Sequence, residues 1–144
     1  MLENIFSPFS DWGLLILRLV MGIIFLVHGW SKLNPNGPMK GPAGFAGFLK
    51  QMNVPLPLFS AWIVVLLETV GAVLLILGLG TRFLAVGFAV NMLVAIGLTR
   101  RSFKRSFTSQ QTTGWEFDLA LLAQALALLF TGAGGIALDR IFGL

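Results

Sequence analysis

The chain has 144 residues, of which 56% are hydrophobic and 11% charged, and its mean hydropathy is +0.87. That balance excludes an ordinary water-soluble domain, and the absence of cysteine excludes disulfides, thiolate metal sites and thiol chemistry by the chain itself. The formal net charge of +4 resides mostly in loops between apolar runs, so anionic lipid headgroups, not nucleic acid, are the expected partner.

The lead-in Met1 to Asp11 carries Glu3 and Asp11, and Asp11 is placed to cap the helix that follows. Being acidic, and followed by an apolar run too long for a leader, this start is not expected to be a signal peptide. Trp12 stands where an interfacial anchor belongs. The first span, Gly13 to Leu33, has about the 20 residues needed to cross a bilayer. At 100° per residue, Arg18, Gly22, Phe25, Gly29 and Lys32 fall within about 40° of one another, with His28 about 80° to the side. A spanning helix with one basic, glycine-notched face must hide that face in a bundle.

The stretch Asn34 to Pro42 holds three prolines and two glycines and breaks regular structure. Phe45, Phe48, Leu49 and Met52 then recur at helical spacing, beside Lys50. This predicts a short amphipathic helix, lying in the interface or packed on the end of the bundle. A second span runs from about Leu58 to Leu79 with Glu68 as its single charge, and Gly78, Gly80 and Thr81 turn tightly into a third span, Arg82 to Leu98, with Asn91 at its middle. Next come the basic segment Arg100 to Arg105 and the polar tract Ser106 to Gly114. A fourth span, Trp115 to Thr131, ends in Gly132-Ala133-Gly134-Gly135, and the tail after it folds back on the membrane surface. The expectation is one all-α domain over residues 1–144: an antiparallel bundle of four transmembrane helices with a short interfacial helix between spans one and two.

Each intramembrane charge needs an account. Arg18, about 8 Å from its end of the first span, either snorkels to the interface or forms a buried pair, with Asp139 the best-placed partner. Glu68 lies near mid-bilayer, about 12 Å from the end of its helix, where an ionised carboxylate is costly unless paired. His28 matches it in depth within a turn, so the two are expected to pair, structurally or as a functional site. Gly71, Leu75 and Gly78 share the face of Glu68 and permit close helix approach. Thr113-Gly114-Trp115-Glu116 fits a capping box. Glu116 also shares a small-residue face with Ala120, Ala123, Ala127 and Gly134, expected to pack inward. Asp118 is expected at the rim, paired with Lys32 or the basic loop. Asn91 suits an interhelical hydrogen bond. Candidates for a ligand or proton site are therefore His28, Glu68, Lys32, Asn91 and Glu116, with Arg18 and Asp139 as a structural charge pair. One histidine without cysteine supports neither two-histidine haem ligation nor a metal cluster, so no metal or tightly bound cofactor is expected. One histidine beside one carboxylate can still move a proton, or bond a quinone carbonyl.

The segments LRLVMGIIFLVHGWSKL, ETVGAVLLILGLGTRFLAVG and EFDLALLAQALALLFTGAGGIALDR resemble the DoxX family of small bacterial and archaeal membrane proteins. The matching positions are Arg18, His28-Gly29, Lys32, Glu68, Thr81-Arg82, Gly132 and Leu138-Asp139-Arg140. The resemblance implies a four-helix transmembrane bundle in a prokaryotic inner membrane. Some relatives are membrane subunits of thiosulfate:quinone oxidoreductase, and others are associated with oxidative-stress and sulfur-transfer proteins. It carries over no agreed catalytic residues. The leading expectation is a membrane subunit of a redox system, not an enzyme alone, binding quinone or another small apolar ligand in the bundle. A non-catalytic anchor or assembly subunit recruiting a soluble partner, and a small proton-linked transporter, stand as alternatives; the expected protein partner is a soluble redox protein or a second copy of the chain.

Orientation follows from charge. Lys32, Lys40, Lys50, Arg100, Arg101, Lys104 and Arg105 lie at one end, and only Arg82 and Arg140 at the loops of the other. By the positive-inside rule both termini face away from the cytoplasm, and the anionic headgroups are met at Arg100, Arg101, Lys104 and Arg105. A topology reporter fused after Leu144 is expected to signal extracytoplasmic placement, and one inserted near Ser109 cytoplasmic placement. The reverse pattern in both fusions would overturn this orientation.

Overall fold

The computed structural model describes residues 7–108 and 113–144; Glu3 of the lead-in and the stretch 109–112 of the polar tract lie outside them. Six α-helices follow a single 3-10 turn at Ser7–Phe9: α1 (Ser10–Leu33), α2 (Gly41–Gln51), α3 (Pro57–Leu77), α4 (Thr81–Arg101), α5 (Glu116–Thr131) and α6 (Leu138–Phe142). Among the described residues there is no strand. Helices α1, α3 and α4, of 24, 21 and 21 residues, are long and apolar enough to cross a membrane. At 1.5 Å per residue they measure about 32–36 Å, against a hydrocarbon core of about 30 Å. Helix α5 has 16 residues, or about 24 Å.

The long helices run antiparallel to their neighbours, as three ladders of contacts show. Gly22 of α1 meets Ala72 and Ile76 of α3, while Gly29, two turns on, meets Glu68. Leu84 of α4 touches Gly71 of α3, and Asn91 reaches Glu68. Thr99 bonds Asp118 of α5 at one end, and Arg82 lies against Gly132 at the other. Helix α1 packs along the whole of α3, and α4 packs on α5 about as extensively. Met21, Phe25, Leu75, Phe88, Met92, Leu121 and Leu128 fill the centre, with the Phe25 and Phe88 rings stacked 4.2 Å apart. The outer surface carries Ile16, Val20, Ile23 and Val27 on α1, and Phe59, Ile63, Leu66 and Val70 on α3. Such large exposed apolar side chains belong against lipid tails, not water.

Of the stripe its periodicity predicts, helix α1 buries Arg18, Gly22, Phe25 and Gly29 and leaves Lys32 half-buried, and it buries Met21 in addition. Helix α2 packs inward on the end of the bundle. Phe45, Ala46 and Leu49 form a second cluster with Ala61 and Val65 of α3. It begins at Gly41, earlier than the proline-rich stretch suggested, because Pro42 sits in its first turn, where a missing N–H costs nothing. The tail helix α6 is pinned on the end of α3, its Asp139 amide donating to Gly78 O at 2.8 Å.

Three local expectations are corrected. Asp11 does not cap α1; it lies in the first turn and accepts the Gly135 amide at 2.6 Å. Thr113 does not open a capping box, because α5 starts at Glu116, preceded by Trp115 without a side-chain cap. The face of α5 that packs inward is Leu121, Leu122, Ala125 and Leu128, leaving Ala120 and Ala123 exposed. Burying branched side chains against α4 removes more apolar surface than burying alanines.

At Gly29 helix α1 meets the backbone of α3, and an added Cβ would stand 2.6 Å from the Glu68 carbonyl oxygen and 2.7 Å from its carbon. Backbone cannot swing aside as a side chain can. Gly29→Ala is expected to destabilise the bundle by about 1–3 kcal/mol. Gly22→Ala, facing mainly the Ile76 side chain, should cost less, and Gly13→Ala, helical with open space around it, should cost nothing and gain up to about 1 kcal/mol. Reversible unfolding in detergent micelles checks the order.

Candidate functional site

Helix α3 departs from regular α geometry at one place. Leu67–Gly71 forms a single π-turn, a feature that inserts a residue into the ladder and recurs at functional sites. Thr69 Oγ1 donates to Val65 O at 2.6 Å within it. The π-turn carries Glu68, a residue 2% exposed whose carboxylate meets partners on α1 and α4. Lys32 of α1 donates to Glu68 Oε2 in an ion pair, and Asn91 Nδ2 of α4 donates to Oε1 at 2.9 Å. One carboxylate thus joins three helices.

Lys32 reaches Glu68 because Gly29, one turn earlier, brings α1 onto the α3 backbone at Glu68 itself. Its ammonium also lies 5.2 Å from the centre of the Phe45 ring of α2, a cation–π contact that adds to its neutralisation by Glu68. Beside this cluster is a cavity of about 230 Å³. Phe25, Phe45, Phe117, Met92 and Leu121 give it apolar walls, and Lys32, Glu68, Asn91, His28, Thr99 and Asp118 supply its polar atoms.

The expected pairing of Glu68 with His28 is not made. The imidazole is exposed and stands beside Phe117, ring centres 6.2 Å apart, within electrostatic reach of Asp118. Depth along the membrane normal suggested His28, but rotation about the helix axis decides the partner. His28 lies to the side of the buried stripe, whereas Lys32 continues it. Of the five candidates, the fold gathers His28, Lys32, Glu68 and Asn91 around one cavity and leaves Glu116 outside its lining. Glu116 turns back over Gly114, with a buried Oε2 that has no hydrogen-bond partner among the described residues. Asp118 does not pair with Lys32; its Oδ2 accepts from Thr99 Oγ1 at 3.3 Å, and Arg105 of the basic loop acts on it at longer range. Sequence reading missed Thr99 and Asp118 as cavity-lining groups, and also the π-turn, which no local pattern around Glu68 announces. It missed that α2 closes the cavity, although the helical spacing of Phe45 and Phe48 already placed both rings on one face.

The opposite end is built on Arg18, which is wholly buried and does not snorkel. Its guanidinium donates to Ile76 O at 3.4 Å and to Ile136 O. It fills the space beside Gly78, where a Cβ would collide with Nη1. Asp139 acts on it electrostatically but forms no direct ion pair with it, among the described residues. The Asp139 carboxylate instead accepts the Gly80 and Thr81 amides, at 2.5 and 2.9 Å, and so caps α4. Among the described residues no group of three or more His, Cys, Asp or Glu side chains gathers that could hold a metal ion.

Residues 13–101 match the family model described as DoxX. The chain belongs to the DoxX family. It is 37% identical over 127 residues to "Putative oxidoreductase CatD" of Bacillus subtilis (strain 168), covering 88% of this chain and 84% of that protein. It is 31% identical over 132 residues to "Inner membrane protein YqjF" of Escherichia coli (strain K12), covering 92% and 93% of the two chains. With "Inner membrane protein YphA" of the same organism it shares 30% identity over 129 residues, covering 88% of each. No solved structure matches. Membership of DoxX, with three apolar helices of spanning length, makes this an integral membrane protein.

Contact between Lys32 and Glu68 is testable by a double-mutant cycle. Lys32→Met and Glu68→Gln should each destabilise the bundle, and the double variant should lose less than their sum, with a coupling of about 0.5–3 kcal/mol. His28→Gln should show no coupling to Glu68→Gln. Unfolding equilibria of the variants in micelles read both outcomes.

Proposed function

We propose that this DoxX-family chain is the membrane subunit of a redox system in a bacterial inner membrane, holding a quinone or another small apolar ligand in the cavity beside Glu68. The observation that carries this reading is the juxtaposition of aromatic walls with the Lys32–Glu68–Asn91 cluster in one cavity. Ligand pockets combine such an apolar lining with a few placed polar groups. At about 230 Å³ the cavity exceeds the roughly 150 Å³ that accepts benzene, so it suits one or two fused rings. A quinone has flat apolar faces and two carbonyl acceptors. The donors that would meet those carbonyls are the Lys32 ammonium, the Asn91 amide and the His28 imidazole, and Phe25, Phe45 and Phe117 would flank the ring.

Bound there, a quinone would supply two-electron, two-proton redox chemistry. The residues supply the rest. Glu68 fixes Lys32 and Asn91 in position through both of its oxygens. His28 and Asp118, which also line the cavity, are two groups able to pass protons to and from solvent near the basic end. The name of the Bacillus subtilis relative agrees with redox work, and those of the two Escherichia coli relatives agree with the inner membrane. In this reading α5 is the fourth crossing, lengthened at its ends by Trp115 and the glycine loop, and both termini lie outside the cytoplasm.

A second reading rests on the exposed cations at the loop end, Arg100, Arg101, Lys104 and Arg105. They suit an acidic soluble partner or anionic headgroups, with the bundle as an anchor. Mass spectrometry of the protein purified from its native membrane should find a quinone, or another ring compound, enriched over bulk lipid and depleted in Lys32→Met and Asn91→Leu. No enrichment, together with a co-purifying partner retained by both variants, would decide for the anchor.

A further inference from the structure

The end of the bundle remote from Glu68 holds a second cavity, an open groove of about 950 Å³ between the start of α4, the loop Gly132 to Gly135 and α6. Its polar head is framed by two arginines. Arg82 lies against one end of the loop, its Nε and Nη2 3.4 Å from where a Cβ on Gly132 would stand. Arg140 lies against the other, its Nη1 3.0 Å from the corresponding point on Gly135. Both side chains are exposed, and no ion pair engages either one among the described residues. Two carboxylates, Asp11 and Asp139, also border the groove. Asp139 gives both oxygens to the Gly80 and Thr81 amides, and Asp11 gives Oδ1 to the Gly135 amide.

A separate observation points to a ligand. Thr81 is wholly buried and borders the same groove, yet its hydroxyl has no hydrogen-bond partner among the described residues. A buried hydroxyl is rarely left unpaired, because desolvation without a partner is costly. Below this polar head the wall turns apolar. Phe83 is 81% exposed and Val86 48%, both on the outer face of α4. With Arg18 buried, Arg82 and Arg140 are the exposed cations at this end among the described residues, and both line the groove. Guanidinium is the group suited to bidentate phosphate contact.

We propose that this groove binds an anionic phospholipid, its phosphate held by Arg82, Arg140 and the Thr81 hydroxyl, and an acyl chain laid along Phe83 and Val86. The site is independent of the cavity beside Glu68. It is tested on the full chain, purified in detergent and delipidated, by native mass spectrometry with dioleoylphosphatidylglycerol, dioleoylglycerol or inorganic phosphate. The expected result is one tightly held phosphatidylglycerol. Its affinity should fall about tenfold or more, about 1.4 kcal/mol, in R82Q/R140Q, which lacks both charged phosphate donors. A smaller fall is expected in Thr81→Val, which keeps the side-chain shape, and none in Lys50→Gln at the other end. Equal binding of dioleoylglycerol would show that no phosphate is read and overturn the proposal. Inorganic phosphate that binds as tightly and displaces the lipid would assign the groove to a free anion and overturn the lipid. Unchanged affinity in R82Q/R140Q, folded by circular dichroism, would overturn it as well.

Discussion

A carboxylate in the hydrocarbon layer must be neutralised, and the geometry of this bundle follows from neutralising Glu68. Water cannot do it at that depth, so the compensating groups come from the neighbouring helices. Lys32 supplies the charge and Asn91 a hydrogen bond, which ties α1 and α4 to α3 at one level. For Lys32 to arrive, α1 must touch the α3 backbone, and Gly29 is the residue that allows it. For Glu68 to face both partners, the π-turn shifts its direction relative to a regular helix. A glycine, a helix irregularity and three polar side chains are parts of one solution.

The far end solves the complementary problem, a buried cation, by different means. Arg18 is answered by carbonyl oxygens at the end of α3 and before α6, where the negative end of a helix dipole is available. Asp139 is engaged by the amides that open α4, the positive end of another. The two charges stabilise opposite sides of the same turn, with backbone between them. Gly78 is essential to this arrangement, since its left-handed φ of +70° turns the chain and its missing side chain leaves room for the guanidinium. One end of the bundle is therefore closed by backbone dipoles, while the other holds an ion pair bordering a cavity.

That asymmetry bears on function. Most polar groups in the Arg18 cluster are consumed by the fold, the Arg18 Nε and the Thr81 hydroxyl excepted among the described residues. Around the cavity beside Glu68, His28 and Asp118 stay outside the ion pair and border open space with aromatic walls. Helix α2 adds a wall to a gap between helices, because Phe45 reaches over Lys32 from outside the spanning bundle.

Apolar length and periodicity alone determined the all-helical membrane character, the position of each long helix to within a few residues, and the buried stripe of α1. These are properties of single segments, fixed by one helix meeting a nonpolar surrounding. The family was legible too, in the spacing of Arg18, His28, Lys32, Glu68 and Asp139. What pairs with what was decided only by the tertiary structure. His28 and Lys32 both lie at a depth that could serve Glu68, and the choice between them rests on the rotation of α1 against α3. The inward face of α5 was settled by the fit of Leu121, Leu122 and Leu128 against α4 rather than by its small residues. The role of Asp11 was settled by a loop more than 120 residues away. Sequence periodicity ranks the faces of a helix, but the partner that covers each face belongs to another part of the chain, and only packing brings the two together.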